Sequence, residues 1–404
     1  MEIGPILRAL TRNKLGVVLI ALQIAFTMTV MINAIFIINE RNRLMERPSG
    51  AEEANLFHFT SIGFGSDFNE RVVMQDDLAT IRQLPGVVEA TATNAIPVSR
   101  SGSSTGVRLV DDETQPSVGT AIYRADEAFM TTLNLDLIAG EAFSETDMRY
   151  RSEAGTTLST KTVISKALAE NLFPDSALND VVGETLFMPG DAEVQIVGIV
   201  ETLQAPWPNS SLIERSMIVP EILFYNSSLY VVRTESGERD RVMAEIEDLL
   251  LNQNSNRVLR EIRSLEETRA DSYRLDSAMS SVLWVIIATL IFITCMGIVG
   301  LAVFGINRRR QQIGTRRALG ATRPQILRYF MLENFMITSV GVLIGAALTI
   351  GFSIVLTTNF NMPTMAWYYT PLGMLALLLI GQIAVLGPSS GAAKIEPALA
   401  TRPV

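Results

Sequence analysis

The segment NRRRQQIGTRRALGATRPQILRYFMLENF (residues 307–335) carries seven arginines between Arg308 and Arg328, and its first acidic residue is Glu333. It follows an almost unbroken apolar run, in a 404-residue chain whose net charge is −9. Such a basic cluster could bind nucleic acid, but here it lies between two runs long enough to cross a bilayer. The segment therefore predicts a membrane protein whose arginines mark an inner loop, and it argues against a nucleic-acid partner.

Four apolar runs predict four membrane helices. The chain is 48% hydrophobic and only 19% charged, which is apolar for a soluble protein. Three charge-free runs have 24, 25 and 22 residues, and a fourth of 17 residues follows an aromatic group. We predict spans at 15–39 (TM1), 278–306 (TM2), 326–357 (TM3) and 367–387 (TM4). The first run is longer than a signal-peptide core and lacks a small-residue cleavage site, so we expect it to remain as an anchor.

The distribution of charge predicts the orientation of these spans. The block from Glu40 to Asp276 holds 39 of the 42 acidic residues but 21 of the 33 basic ones. Short loops rich in Lys and Arg stay on the cytoplasmic side of a membrane. We therefore expect both termini, the 307–325 loop and the 388–404 tail to be cytoplasmic. The 40–277 block and the short 358–366 loop should be periplasmic.

The periplasmic block alternates strand-like and helix-like segments, which predicts an α+β domain. Strand–helix–strand units are expected at 55–98 and again at 227–265, so segments from both ends of the block should close one domain. The irregular stretch at about 99–190 is interpreted as a second, inserted subdomain. Residues 1–14 have apolar side chains at helical spacing and predict a helix lying on the inner membrane surface. The alternative for that segment is a plain extension of the first span.

No group of residues predicts catalysis, cofactor binding or a metal site. His58 is the only histidine and lies in a predicted strand, and the only cysteine, Cys295, lies in a membrane run. The segment GTTLSTKT (155–162) is the nearest approach to a phosphate-binding loop, but Thr160 replaces the second glycine. We therefore expect no catalytic residue and no bound cofactor in this chain.

A stripe of small residues lies along the third span. Gly341 and Gly345 form a G-x-x-x-G motif, and Gly351 extends it. Such faces let helices approach closely. The sequence leaves open whether these glycines form a functional helix interface or pack within the chain. The spans carry no buried charge of the kind that marks an ion path.

The basic loop itself predicts a compact helical hairpin. Residues 311–319 can continue the second span as a helix, and Gly320 suits a helix C-cap. Thr322 is placed as the N-cap of the next helix, with Pro324 in its first turn. A stiff tip between two long helices suits docking to a soluble partner.

Residues 308–352 resemble the signature of FtsX/MacB-type ABC transporter permeases, in which R-x-x-E-I-G-x-x-R-A-L-G-A-[ST] precedes a Glu and a glycine-rich span. The tail at 387–403 is similar to the end of that family's sequences. Segments at 125–147, 161–175 and 193–200 resemble parts of MacB-type periplasmic domains.

This resemblance implies a fold of four transmembrane α-helices with a large α+β periplasmic domain, made of a porter-like subdomain with an inserted second one. It implies a permease that pairs with a second permease, identical or homologous. The pair would dock a separate cytoplasmic ABC ATPase, which binds ATP and Mg²⁺, because this chain resembles MacB without its fused ATPase. Hydrolysis would move the periplasmic domain, a mechanism called mechanotransmission. The residues placed in the ATPase-coupling element are Ile313, Gly314, Arg316, Arg317, Ala318, Leu319 and Gly320.

The resemblance implies efflux from the inner membrane of a bacterium, with a periplasmic adaptor and an outer-membrane channel as further partners. Two alternatives stay open: a lipoprotein-releasing permease of Lol type, and an FtsX-like regulator of a cell-wall hydrolase. One departure from the family pattern is Gln312, which stands where an acid is usual, so that any ion pair made by that acid is absent.

Overall fold

The computed structural model describes residues 14–65, 68–152, 159–190, 192–360 and 362–394. The chain divides into two compact units. The membrane unit consists of the residues up to Arg43 and those from Asp276 onward, and the outer unit is Leu44–Leu275. The predicted surface helix at 1–14 and most of the 388–404 tail lie outside the described residues, and Lys14 is already part of the first helix.

The helices that the structure describes follow one another along the chain as α1 (Lys14–Met45), α2 (Glu70–Arg82), α3 (Phe129–Leu133), α4 (Lys166–Leu172), α5 (Leu178–Val181), α6 (Arg239–Gln253), α7 (Leu265–Ser272), α8 (Arg274–Arg308), α9 (Arg310–Ala318), α10 (Arg323–Phe360) and α11 (Tyr369–Ala393).

The strands all belong to the outer unit and are β1 (Leu56–Gly63), β2 (Val87–Thr93), β3 (Ser103–Val107), β4 (Val118–Ala125), β5 (Leu137–Gly140), β6 (Arg149–Ser152), β7 (Lys161–Ser165), β8 (Thr185–Met188), β9 (Ala192–Val200), β10 (Ser216–Phe224), β11 (Ser227–Thr234) and β12 (Arg257–Ser264).

Four helices, α1, α8, α10 and α11, are long and apolar enough to cross a membrane, as predicted. Several of these helices extend beyond the apolar runs from which the spans were predicted. Helix α1 continues to Met45 and α8 begins at Arg274, although the predicted spans were 15–39 and 278–306. The polar ends are stabilised by an ion pair between Arg41 of α1 and Asp276 of α8. An apolar run therefore indicates the part of a helix in lipid and underestimates its full length.

Helix α1 is the central helix of the membrane unit. Ile24, Met28 and Ile32 are almost fully buried along it. A Cβ added at Gly341 of α10 would lie 2.8 Å from the Ala21 carbonyl oxygen, and one at Gly345 would lie 2.9 Å from the Met28 Cβ. These two glycines are therefore packing residues within the chain, where α10 approaches α1 closely.

The predicted packing role of Gly351 is not seen within this chain, because an added Cβ there meets no described atom within 4 Å. Its position lies two turns beyond the contact with α1, where the glycine stripe has rotated away. Polar side chains complete the bundle instead: the Thr27 and Thr294 hydroxyls are 2.8 Å apart, and the Asn334 side-chain amide donates to the Gly381 carbonyl at 2.9 Å.

The outer unit is built on one mixed sheet with the strand order β12-β1-β11-β2-β4-β10-β7-β9-β5. Its first four strands come from the two predicted strand–helix–strand units, β1–α2–β2 and β11–α6–β12, which interleave as antiparallel neighbours. This is the arrangement of a ferredoxin-like domain. Helices α2 and α6 cover one face of these strands, where Phe59 and Tyr230 pack against Met74 and Ile246.

The inserted part is longer than the predicted 99–190. Strands β9 and β10 continue the same half of the sheet as β4 and β7, so the insertion extends to Phe224. The turn at Gly190, which has a φ of +80°, marks only the tip between β8 and β9. The two halves of the sheet join through β2 and β4 at a single residue pair, Thr93 and Ala125.

His58 predicts a pH dependence of outer-unit stability. Burial, and then the positive charge of Arg263, lower the pKa of His58 from 6.5 to about 4. Between those values the unfolded chain binds a proton that the folded chain excludes, so stability should fall as pH falls. At pH 5 the expected loss is about 2 kcal/mol of unfolding free energy relative to pH 8.

The measurement is thermal or denaturant unfolding at pH 5 and pH 8, with the His58→Gln variant as the control. The raised pKa of Asp126, about 7 because of burial, has the opposite slope in the same range. The contribution of Asp126 to the pH dependence is the same in the wild type and in His58→Gln, so it cancels when their stabilities are compared. Equal pH slopes for wild type and variant would contradict the prediction.

Candidate coupling hairpin

The chain reverses direction between α8 and α10 in a tightly capped turn, which we call the coupling hairpin (residues 309–329). Helix α8 ends at Arg308, and Arg309 leaves helical geometry with φ −107° and ψ 12° before α9 begins. The sequence predicted a continuous helix here, so the break at Arg309 is a correction. It allows the short helix α9 to fold back toward the bundle.

Gly320 closes α9 with the expected cap. Its φ is +97°, a conformation that favours glycine. The Gly320 amide donates to the Arg317 carbonyl at 3.2 Å, and the Ala321 amide donates to the Arg316 carbonyl at 3.0 Å, which is a Schellman motif. The motif satisfies carbonyls that would otherwise be exposed at the helix end.

Four residues separate the end of α9 at Ala318 from the start of α10 at Arg323. The Thr322 carbonyl accepts from the Gln325 and Ile326 amides, and its own amide donates to Gln325 Oε1 at 2.8 Å. This contact is half of a capping box. Pro324 lies in the first turn of the helix, as predicted.

The inner face of the hairpin is apolar and buried. Ile313 is 5% exposed and packs with Ile306, Ile326 and Phe330, and Gly314 beside it is also buried. Burial of an isoleucine contributes roughly 2 kcal/mol, so the hairpin is attached to the bundle and does not swing freely.

An ionic clamp reinforces this attachment, formed by Arg309, Arg316, Tyr329 and Glu333. The Arg309 guanidinium donates to both carboxylate oxygens of Glu333 at 2.9 and 3.0 Å, and to the Tyr329 hydroxyl at 3.4 Å. The Arg316 guanidinium lies 5.2 Å from the centre of the Tyr329 ring, a cation–π contact. The clamp therefore joins the break after α8, the short helix α9 and the first turns of α10.

The tip of the hairpin is exposed. Leu319 is 83% exposed, and Ala318 and Gly320 beside it are exposed too. An apolar side chain with this exposure at a capped turn gains no stability from the chain itself, so it is available to a partner.

The seven predicted coupling residues fall into three groups in this geometry. Ile313 and Gly314 face inward and cannot contact a partner, and Arg316 stacks on Tyr329. The Arg317 Nη1 atom donates to the Ala321 carbonyl at 3.2 Å, within the hairpin. Of the seven, Arg316, Ala318, Leu319 and Gly320 are exposed. The coupling role of the seven stays a prediction, in which Ile313 and Gly314 would anchor the hairpin and the exposed residues would contact the partner.

Sequence reasoning missed the partners inside the clamp. A signal was present, because Glu333 is the only acid among seven arginines, but nothing in the spacing showed which arginine it binds. The break at Arg309 turns that guanidinium toward α10, whereas a continuous helix would have directed it elsewhere.

A small cavity lies behind the clamp, between the membrane helices. Its volume is about 50 Å³, and Arg309, Glu333 and Asn334 supply its polar lining. A space of this size holds a few water molecules, and it is far below the size of a ligand pocket. Among the residues that the structure describes, no group of three or more His, Cys, Asp or Glu side chains could hold a metal ion.

Comparison with known proteins identifies two consecutive domains. Residues 15–249 match the MacB-like periplasmic core domain, and residues 284–397 match the C-terminal domain of FtsX-like permeases. Neither matched domain is an ATPase.

The chain is similar to two curated relatives over most of its length. It is 23% identical to YknZ, an uncharacterized ABC transporter permease of Bacillus subtilis, over 82% of this chain and 80% of YknZ. It is 21% identical to MacB, a macrolide export ATP-binding/permease protein of Escherichia coli K12, over 96% of this chain but only 58% of MacB. The crystal structure of the YknZ extracellular domain aligns with 51% of this chain at 18% identity and a TM-score of 0.33.

The match to the periplasmic core domain alone covers more than half of the chain, and the FtsX-like match accounts for three of the four membrane helices. The chain belongs to the MacB/FtsX-type family of ABC transporter permeases.

Proposed function

We propose that this permease transmits the energy of ATP hydrolysis from a separate cytoplasmic ABC ATPase to its periplasmic domain. ATP and Mg²⁺ bind to the ATPase, and this chain holds neither. The permease works as a pair, with an identical or homologous second subunit. The observation that carries the proposal is the coupling hairpin: an exposed apolar tip on a turn that is fastened to two membrane helices.

The hairpin has the mechanical properties that such transmission requires. A partner that moves Leu319 also moves α9, because the Schellman cap and the buried Ile313 leave little freedom between them. The Arg309–Glu333 pair then carries the displacement into α8 and α10. Helix α8 has 35 residues and is about 50 Å long, so a small tilt at the hairpin becomes a displacement of several ångströms at the far end.

Exposed positive charge surrounds the tip and favours an acidic partner surface. The side chains of Arg308, Arg310, Arg323 and Arg328 are all exposed. Complementary charge speeds association and selects orientation more than it adds affinity. We assign the contact energy to Leu319 and the steering to these arginines.

We place the protein in the bacterial inner membrane, with both termini and the hairpin in the cytoplasm. The basis is the concentration of arginine in the short loop and of acid in the outer unit. We further propose that the periplasmic motion drives extrusion of a periplasmic substrate through an adaptor protein and an outer-membrane channel. This part rests on the similarity to MacB, whose name describes it as a macrolide exporter.

Replacing Leu319 with aspartate should abolish capture of the ATPase. The change removes an apolar contact and buries a charge in the interface, which is expected to weaken binding by about 100-fold or more. The measurement is affinity purification of the tagged full-length chain from its native membrane, with partners identified by mass spectrometry. An ATP-binding protein should accompany the wild type and be lost from the variant.

Val110→Asp is the matched control, because Val110 is an exposed apolar residue of the outer unit. It should retain the ATPase at the wild-type level. Capture of the ATPase by Leu319→Asp at the wild-type level would show that docking occurs elsewhere, and recovery of no ATPase with the wild type would remove the proposed function.

A further inference from the structure

The outer unit contains two adjoining cavities, of about 540 and 220 Å³, that together form what we call the polar cleft. Thr60, Asn94, Ser101 and Leu229 line both of them. The larger cavity is within the range of small-molecule sites. The coupling hairpin has no part in it, so the inference below does not depend on the proposed function.

The cleft follows from the way the sheet divides. Strand β10 pairs with β4 only as far as Pro220, and from Glu221 to Phe224 it pairs with β6 instead. Proline has no backbone N–H to continue a ladder, which suits a strand that changes partners. Because β2 and β4 share a single residue pair, the space where β10 departs is left open.

A partly buried guanidinium lies in the larger cavity. Arg124 Nε donates to Glu221 Oε1 at 3.2 Å, and the Glu221 side chain is 3% exposed. Arg151 Nη1 donates to the same oxygen at 3.0 Å, so one carboxylate serves two guanidinium groups. The two Nη atoms of Arg124 have no partner among the residues that the structure describes. A guanidinium held in this way presents a planar donor pair suited to a carboxylate.

The rest of the larger cavity is amphipathic. Met74, Ile222 and Leu229 contribute apolar surface, and Tyr225 is a largely exposed ring at its edge. The hydroxyl groups of Thr60, Ser101 and Ser227 line the cleft without a partner among the described residues. A ligand with an apolar body and one planar anionic group would satisfy both kinds of surface.

The loop that contributes Ser99, Arg100 and Ser101 to the smaller cavity is held in a strained conformation. Val98 and Arg100 have φ values of +51° and +66°, which cost a branched or long side chain roughly 1–2 kcal/mol each. The Val98 amide donates to the Ala205 carbonyl at 3.3 Å, and the Arg100 amide to the Pro206 carbonyl at 2.7 Å, which hold the loop in place. Strain of this kind is concentrated at functional sites, and here it shapes the cleft.

His58, which lines the smaller cavity, has a buried acceptor without a partner among the described residues. The Thr268 hydroxyl donates to the Ser264 carbonyl at 3.1 Å, so it must accept from His58 Nε2–H at 2.6 Å. This assigns the neutral tautomer in which Nδ1 is an acceptor, and Nδ1 has no partner among the described residues. Arg100 and Arg263 line the same cavity, together with the acids Glu261 and Asp271.

We propose that the polar cleft binds a small amphipathic monocarboxylate, with its carboxylate on Arg124 and its apolar body against Met74, Ile222 and Leu229. The lining carries three arginines and two acids, a positive balance within a strongly acidic unit. Fatty acids and N-acylated amino acids share this chemistry. The carboxylate is the feature that the site selects.

The test is equilibrium binding of N-dansyl-leucine and of its neutral counterpart N-dansyl-leucinamide to the full-length chain in nanodiscs, with empty nanodiscs subtracted. The wild type should bind the carboxylate about tenfold or more tightly than the amide, as expected for a charge-assisted hydrogen-bonded pair. The variant Arg124→Gln should lose that preference, and Arg124→Lys should retain part of it because lysine keeps the charge without the fork. Decanoate should compete with the dansyl probe if acyl chains fit, and N-acetyl-leucine should compete if acylated amino acids do.

Arg260→Gln is the matched control, since Arg260 is an exposed arginine on β12 that does not line the cleft. It should bind both probes as the wild type does. Ser101→Trp should block both probes by filling the cleft while leaving Arg124 in place, which separates loss of the site from loss of the fold. Equal affinity of the wild type for the two probes, or an unchanged preference in Arg124→Gln, would overturn the proposal.

Discussion

Replacing Glu333 with glutamine should leave the ATPase bound while permease-stimulated ATP hydrolysis falls about tenfold or more. Glu333 accepts both hydrogen bonds from Arg309, and the two side chains are only 14% and 22% exposed. Loss of one partner of such a pair leaves a poorly solvated charge and costs about 3 kcal/mol. The hairpin would then move without carrying α10 with it, whereas Leu319 at the tip would still contact the ATPase.

The experiment compares ATPase activity and ATPase capture in the same reconstituted preparation. Arg274→Gln is the matched control, because Arg274 is an exposed arginine at the other end of α8 and takes no part in the hairpin. The charge exchange Arg309→Glu with Glu333→Arg should recover a large part of the stimulation, since it restores an ion pair across the same gap. Wild-type stimulation in Glu333→Gln, or no recovery in the exchanged pair, would show that the clamp does not transmit motion.

Replacing Asp77 with alanine should lower the melting temperature of the outer unit by roughly 10 °C. Asp77 Oδ2 accepts from the Tyr230 hydroxyl at 2.9 Å and from Arg257, whose side chain is fully buried. Arg257 also donates to the Leu250 and Asn254 carbonyls, so the network joins α2, β11, β12 and the end of α6. Burial raises the pKa of Asp77, and Arg257 opposes that shift. An unpaired Arg257 in this core is expected to cost about 3–5 kcal/mol, and each kilocalorie shifts the melting temperature of a domain this size by about 2–4 °C.

Trp207 is the only tryptophan in the outer unit, since the other two, Trp284 and Trp367, belong to the membrane unit. Fluorescence that changes with Trp207 therefore reports unfolding of the outer unit in the full-length protein. Asp240→Ala, at an exposed acid of α6, is the control and should melt with the wild type. The pair Asp77→Leu with Arg257→Met should be more stable than Asp77→Ala, because no buried charge remains. An Asp77→Ala variant as stable as Asp240→Ala would refute this role of the network.

The spans and the two outer strand–helix–strand units could be predicted because their signals are local. The length of each apolar run is enough to predict a span. In residues 239–252, apolar side chains recur with the period of a helix. The order of the strands in the sheet could not be predicted from such local signals. Strand β11 lies between β1 and β2, far from both in sequence, and no periodicity indicates which distant strands will pair.

In the coupling hairpin, too, local features could be predicted from the sequence and contacts between distant residues could not. Gly320, Thr322 and Pro324 predicted its caps, since capping depends on neighbours three or four residues away. The pairing of Arg309 with Glu333 depends on the break in the helix at Arg309. This break could not be predicted from residue type, because Arg309 is flanked by arginines with the same helical propensity. Arg316 and Arg317 are predicted to contact a partner, and in the structure both also make contacts within the hairpin that their spacing did not indicate.

The central position of α1 has a consequence for how the protein is made. Helix α1 precedes the other three described spans in the chain, yet Met28 and Ile32 pack against Gly345 and Gly373 of helices synthesised more than 300 residues later. The outer unit, a continuous stretch of chain, can fold in the meantime. Until α8 arrives, Thr27 of α1 lacks the Thr294 hydroxyl as its partner, and until α10 and α11 arrive, Met28 and Ile32 meet lipid or the insertion machinery. Assembly of the bundle must therefore wait until α11 has been synthesised, and a chain truncated before α10 would leave α1 without the surface on which it is packed.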